Sequence, residues 1–575
     1  MKIIKIIGCI ILGMILYTCE KDFLDKHPLD QVGSEDFFRS PRDLETYVNQ
    51  FYTSENFPIS PAFGRDFDSD NSIDITADIR LQGALNLDDA RSIDFSGVRS
   101  VNFFLDNYAR VKENHDLEEY KQYLGEALFF KALIYFNLLD RYGDIQWLTN
   151  TLNTDSPELY KARDPRNVVT DSIIATLDKA ATYLTDSKTN GASRINKWMA
   201  LMLQSRVALF EGSWEEYHAN TAFGVVNPQP EKYYSKVVEA TTAIIESGLY
   251  DIYSTGNPTS DYYNLFKLRD YSSNQEVMFW QEFNTELGQG DLVFRREPNY
   301  RMQFPYENSL SKSLADSYLC IDGNPIANNN LFQGYTSIVT ETQNRDPRFT
   351  QTIAIPDDVW KIYGDGSISY YNEVYDNLNT RVDLNCPGGY VIKKGYNPEV
   401  VYHVPQYEDT PGIIYRYAEV LLNYAEAKAQ LGIITQADLD ISINKLRERV
   451  GMPNLVLGSI VQDPQWDFPT LSPIINEVRR ERRVELALEG LRFFDIRRWA
   501  AADELIVGER PKGFLASQLV RNIYPVDQNG FLDPYKNQIP NGYLFDVSRD
   551  YLLPISKAQI ELNKDNLIQN PGWGE

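Results

Sequence analysis

The 575-residue sequence predicts a mainly α protein, a TPR-like helical superhelix scaffold interrupted by a long irregular insertion of loops and short strands. Three observations predict it. Apolar residues recur at 3.6-type spacing, with short connections, over 98–111, 117–139, 168–184, 196–210 and 233–246. Between 249 and 411 the texture changes to glycine, proline, asparagine and tyrosine, with short strand-like runs at 276–283 and 390–394. Helical spacing then returns and ends in the stretch INEVRRERRVELALEGLRFFDIRRW that follows Ile474.

In chain order, Lys2 and Lys5 precede an apolar run from Ile6 to Leu16, and Tyr17, Thr18 and Cys19 follow, then acidic Glu20 and Asp22. The run is about half the length a spanning helix requires, so residues 1–18 read as a lipoprotein signal peptide and Cys19 as the lipid attachment point. Ser34 is a candidate helix cap. A second helix starts at Pro41, with Leu44, Tyr47, Val48 and Phe51 on one face. Residues 57–94 read as a loop in which Asp66, Asp68, Asp70, Asn71 and Asp74 lie close together. Such an oxygen-rich loop suits Ca2+, yet Asn71 stands at the EF-hand glycine position and no glutamate follows at the twelfth. A solvated loop beside a ligand site is the other reading, and no other cofactor is expected.

Within 117–139, Leu124, Gly125, Ala127, Ala132 and Phe136 supply small residues where a partner helix comes close, as in tetratricopeptide repeats, although no fixed period is visible. The boundaries expected from these changes are 19–248 for the first helical region, 249–411 for the insertion and 412–575 for the second helical region. Long irregular segments on a rigid scaffold are where binding groups usually sit, because loops vary without disturbing the core. Residues 414–427 read as helix, with Ala418, Ala425 and Ala429 allowing close packing, and 437–450 as its antiparallel partner. From Ile474 to Trp499 the spacing predicts a long helix that bends or stops at Gly490. Its apolar residues cover more than half of the circumference, so neighbours are expected on several sides.

Glu481, Glu485 and Arg492 project into that apolar arc. Buried charges must be paired, and the expected partners are Arg480, Arg482, Arg483, Arg492 or arginines of adjacent helices. Two glutamates one turn apart also form the start of a glycosidase reading, but surrounding arginines hold carboxylates ionised and leave no general acid. The formal charge of −25 argues against nucleic acid, whose phosphates need a basic face. Of the four histidines none forms an i,i+4 pair, so no zinc or other transition-metal site is expected. Cys320 and Cys386 can pair in an oxidising compartment or lie buried as small hydrophobes.

The run RRERRVELALEGLRFFDIRRW resembles the signature helix of the SusD/RagB family of outer-membrane nutrient-binding lipoproteins. Further motifs resemble the same family in order: Phe23-Leu24-Asp25 with Pro28 and Glu35-Asp36-Phe37-Phe38, Arg141-Tyr142-Gly143-Asp144, Asp346-Pro347-Arg348, the run from Ile414 to Ala427, INKLRERVGMPNL, Tyr551 to Ile555, and Asn570-Pro571-Gly572-Trp573. Gln146 departs from a proline common in the family. Leu16 to Cys19 resembles a lipobox, with Tyr17 and Thr18 in place of small residues. The acidic start after Cys19 resembles the surface-export signal of Bacteroidetes lipoproteins.

The resemblance implies a surface-exposed lipoprotein, lipid-anchored in the cell outer membrane and facing the exterior. It would bind oligosaccharide, with no catalytic residue, and deliver it to a SusC-like TonB-dependent transporter barrel. A glycoside hydrolase on the same scaffold and a binder of a non-glycan nutrient such as peptide are the alternatives. Aromatic rings match the C–H faces of sugars, and amide, carboxylate and guanidinium groups match their hydroxyls. On that chemistry the candidate ligand-binding residues are Phe67, Asp70 and Arg80 from the first irregular region and Tyr300, Tyr306, Trp360 and Tyr363 from the second. For any one aromatic residue, packing inward is the ordinary alternative.

Overall fold

The computed structural model describes residues 37–574 apart from 54, 58–65, 189–193, 285–307 and 404–409, and describes only the backbone at Phe67, Asp89 and Val382. The leader, Cys19 and the Ser34 cap therefore lie outside the described residues.

Six long helices form the first part of the scaffold: α1 (Pro41–Asn49), α2 (Ser96–Asn107), α3 (Leu117–Tyr142), α4 (Arg166–Tyr183), α5 (Lys197–Tyr217) and α6 (Pro230–Glu246). Their starts follow from local chemistry. Ser40 and Asp43 form a reciprocal capping box on α1, Asp116 and Glu119 do the same on α3, and the Asn196 side chain accepts from the Trp198 and Met199 amides at the start of α5. Successive helices from α2 to α6 pack as neighbours, and α6 packs in turn against α7 (Tyr417–Gln430), which packs on α8 (Pro473–Glu485). The array is continuous across the insertion. Gly125 is where α3 meets the end of α4, since a Cβ there would come within 2.8 Å of Leu184. The small-residue reading of that helix stands on this approach.

Besides short helices, the described residues hold six short strands: β1 (Ser72–Asp74), β2 (Val277–Gln281), β3 (Asn308–Leu310), β4 (Val359–Ile362), β5 (Ile368–Tyr370) and β6 (Gly412–Arg416). They pair antiparallel as β1–β3, β2–β6 and β4–β5. The β1–β3 ladder, Ser72 opposite Leu310 and Asp74 opposite Asn308, joins the first irregular region to the second. The insertion has its own apolar centre, with Leu310, Tyr318, Phe349, Trp360, Tyr371, Tyr390 and Tyr396, and this extends to Leu488, Phe514 and Leu532 of the C-terminal region.

Three expectations about helices are corrected. Residues Ile414 to Arg416 belong to β6, because Ile413 and Tyr415 pair with Trp280 and Phe279 of β2 and the backbone turns helical only after Arg416. The partner helix at 437–450 is split into Gln436–Ile441 and Ile443–Arg449 at Ser442, whose side chain donates to the Asp438 carbonyl. The stretch from 474 to 499 breaks earlier than Gly490: α8 ends at Glu485 and α9 (Arg492–Arg498) begins after a turn in which Leu488 and Gly490 have φ of 65° and 77°. Tertiary contacts satisfy that break. Asp66 accepts from the Leu488 amide at 2.7 Å and from the Gly490 amide at 3.1 Å, Lys394 donates to the Ala487 carbonyl at 2.8 Å, and Tyr262 donates to the Glu485 carbonyl at 2.7 Å.

Candidate functional site

The carboxylates of α8 are structural partners of arginines on other elements. Glu481 accepts from Arg348 at 2.6 Å and Arg447 at 2.9 Å. Glu485, fully buried, accepts from Arg348 at 3.1 Å, Arg416 at 2.7 Å and Arg449 at 2.7 and 2.8 Å. Burial acts to raise the Glu485 pKa, but Arg449, Arg416 and Arg348 outweigh it and hold the carboxyl well below its ordinary range. A carboxylate so placed does not serve as a general acid near neutral pH. The partners come from adjacent elements; Arg480, Arg482 and Arg483 turn instead to Asp463, Asp495 and Asp70.

The candidate ligand residues disperse. Asp70 is buried, with Oδ1 accepting from Arg492 at 2.7 Å and Oδ2 from Arg483 at 2.7 Å, and these two guanidiniums overcome burial to hold its pKa at about 2. It pairs with one arginine from each of α8 and α9, and it lines a pocket with Lys312, Arg510 and Tyr543. Trp360 takes the inward alternative: it is 6% exposed and packs in the core of the insertion, its ring 6.4 Å from that of Tyr371. Arg80 is half-buried, donates from Nε to the Asp550 carbonyl at 2.7 Å and lies over Phe493. Burial, reinforced by Arg497, lowers its pKa to about 9. Tyr363 is 39% exposed at the tip of the β4–β5 hairpin. Tyr300 and Tyr306 lie outside the described residues, and of Phe67 only the backbone is described, in the short turn Asp66–Asp68.

Two carboxylates of the aspartate-rich loop already have partners within the protein. Asp66 is engaged by backbone amides and Asn71, and Asp70 by arginines. Among the described residues no group of three or more histidine, cysteine, aspartate or glutamate side chains is placed to hold a metal ion. Cys320 and Cys386 are buried and unpaired.

A groove that sequence reasoning missed lies between the end of α1 and β2. It encloses about 300 Å3 and is lined by Asn49, Tyr52, Thr53, Phe57, Arg194, Phe279, Trp280, Gln281, Glu282 and Ile414. The β2–β6 pair supplies one wall, and the scaffold supplies the other. Phe57 packs edge-on against Phe279 at 4.9 Å, giving an aromatic floor, while Asn49, Thr53 and Glu282 are exposed at the rim. At one end Arg194 is fixed by Glu126 of α3: Nε and Nη2 donate to the two carboxylate oxygens at 3.0 and 2.6 Å. Tyr52 donates to the same carboxylate at 2.8 Å. A signal for this was present, because Glu126 is acidic amid the apolar run LFFKALIYF that follows it. Arg194 and Tyr52 lie 68 and 74 residues away, however, and no local pattern names them.

The fold thus defines a class, a TPR-like helical scaffold whose intervening loops build a groove. Comparison with known proteins makes the assignment particular. A family model described as SusD family matches residues 270–573, and one described as starch-binding, associating with outer membrane, matches 22–209. The first covers more than half of the sequence, and the chain belongs to the SusD family, which is associated with the outer membrane. It is 23% identical to SusD-like protein P2 of Formosa agariphila over 98% of both chains. Among solved structures, a SusD-like protein of Bacteroides fragilis matches with a TM-score of 0.70 at 22% identity, covering 95% of this chain and 100% of that one. A SusD-like carbohydrate-binding protein from the same organism matches at 0.67 and 20%, covering 92% and 99%. Among the described residues no helix is long and apolar enough to cross a membrane.

Proposed function

We propose that this chain is a lipoprotein anchored through Cys19, exposed outside the outer membrane, that binds oligosaccharide and passes it to a SusC-like TonB-dependent barrel. The observation that carries the reading is the groove between α1 and β2, where an aromatic floor meets the fixed polar groups of Arg194 and Tyr52. Sugars need both surfaces, one for their C–H faces and one for their hydroxyls. Membership of the SusD family and the carbohydrate-binding description of a structural relative support the glycan. The best carboxylate pair, Glu481 and Glu485, is committed to guanidiniums, which supports a binding protein over a glycosidase.

The test is a glycan array followed by calorimetry on the protein lacking residues 1–19. Saturable binding of an oligosaccharide without release of shorter products is expected. Absence of binding across the array, or hydrolysis of a bound glycan, overturns the reading.

A further inference from the structure

Resting on that reading, we propose that Arg194, held in place by Glu126, is the hydroxyl clamp of the groove and sets a preference for neutral over acidic sugars. Glu126 is fully inaccessible to solvent, and its carboxylate is filled by four donors: Arg194 Nε and Nη2, Tyr52 Oη, and Gln122 Nε2 at 2.7 Å. Burial pushes the Glu126 pKa up, the donors from Arg194, Gln122 and Tyr52 oppose that rise, and the carboxylate fixes the guanidinium in a bidentate geometry. Tyr52 is locked as well, since its oxygen also accepts from the Ile195 amide at 3.0 Å.

The guanidinium is held on its faces too. Its central carbon lies 5.4 Å from the ring centroids of both Tyr52 and Tyr123. Arg194 Nη1 donates to Asn49 Oδ1 at 2.8 Å. Of five N–H donors, three are used in these contacts, and the second hydrogens of Nη1 and Nη2 remain for a ligand. Two adjacent donors in one plane match a pair of vicinal sugar hydroxyls, and because the fork is already ordered little side-chain entropy is lost on binding.

A carboxylate would match the same fork, so charge decides between them. Glu126 neutralises Arg194, Glu45 lies 3.6 Å from Arg194 Nη1, and Glu282 lines the groove. Around the clamp the described side chains carry one cation against three anions, and an acidic sugar meets net repulsion. Glu126 is thus a positioning residue, acting on the ligand only through Arg194 and Tyr52.

The experiment uses matched pairs of neutral oligosaccharides and their C6-oxidised uronate counterparts, measured by calorimetry against the protein lacking residues 1–19. The variants are Thr53→Trp, which obstructs the rim, Arg194→Lys and Glu126→Gln. Expected are tighter binding of the neutral member by the native protein, loss in T53W, at least a tenfold loss in R194K at a temperature where circular dichroism shows the variant folded, and a shift of E126Q towards the uronate. That shift, together with its suppression by salt, is a readout that a merely structural glutamate would not move. Absence of binding to the native protein, or binding unaffected by T53W, removes the groove and the clamp together. Binding lost in T53W yet unaltered in R194K, or equal binding of both members of each pair, refutes the clamp alone.

Discussion

Replacing Glu485 by glutamine tests whether the signature helix is a structural network. The substitution keeps the shape of the side chain and deletes its charge, leaving Arg348, Arg416 and Arg449 facing a neutral amide in the interior. Breaking a buried ion pair from one side costs about 3–5 kcal/mol. With an unfolding entropy of ~2.1 cal/mol/K per residue, 575 residues give about 1.2 kcal/mol/K, so the loss corresponds to a melting temperature lower by roughly 3–4 °C. The acid limb supplies a second measurement. The folded pKa of Glu485 lies below its unfolded value, so its stabilisation is present above about pH 4.3 and is lost as pH falls through the folded value. In E485Q the denaturation midpoint, read by circular dichroism between pH 2 and 6, should be lower above pH 4.5 and less steeply pH-dependent below it. An unchanged midpoint and an unchanged acid limb would refute the network, and altered turnover of a glycan at full stability would point to catalysis.

Four further outcomes are expected. Trp360→Ala should leave a cavity in the insertion core costing about 3–5 kcal/mol, seen as lower stability with unaltered glycan affinity; a stable variant with weakened binding would restore Trp360 as a platform. Glu341 is buried, accepts from Tyr390 at 2.6 Å and has a second oxygen without a partner, and burial pushes its pKa up to about 7. Its folded value exceeds its unfolded one, so stability should decline as pH rises from about 4.3 through 7, and Glu341→Gln should flatten that decline in urea titrations. Asp66→Ala strands the amides of Leu488 and Gly490, at about 1–3 kcal/mol, and hydrogen exchange at residues 486–491 should accelerate; unchanged protection would show that Asp66 does not hold the turn. Cys19→Ala should abolish palmitate labelling and membrane retention, and a variant that labels normally would exclude Cys19 as the anchor.

How much was legible depended on how far each interaction reaches along the chain. Helical periodicity and caps are local, and they placed α1 to α6, although α5 runs seven residues past its expected end at Phe210. The pairing of Glu481 and Glu485 was readable because an uncompensated carboxylate among apolar residues is too costly to stand. Which arginines answered it was not, since Arg348, Arg416 and Arg449 lie 36 to 137 residues away. The same distance hid the groove. Tyr52, Glu126, Arg194 and Trp280 come from α1's exit, α3, the turn before α5 and β2, and each alone resembles an ordinary core or surface residue.

The sequence by itself determined the class of architecture and the family motifs, because periodicity and capping act over one or two turns and need no distant partner. Only the tertiary structure decided that α8 ends at Glu485, since the carbonyls of Glu485 and Ala487 and the amides of Leu488 and Gly490 in the turn after it are answered by Tyr262, Lys394 and Asp66. It likewise decided that Asp70 and Trp360 turn inward. A carboxylate follows the guanidiniums available to it and an indole follows the apolar volume around it, and neither is a property of the residues beside them in the chain.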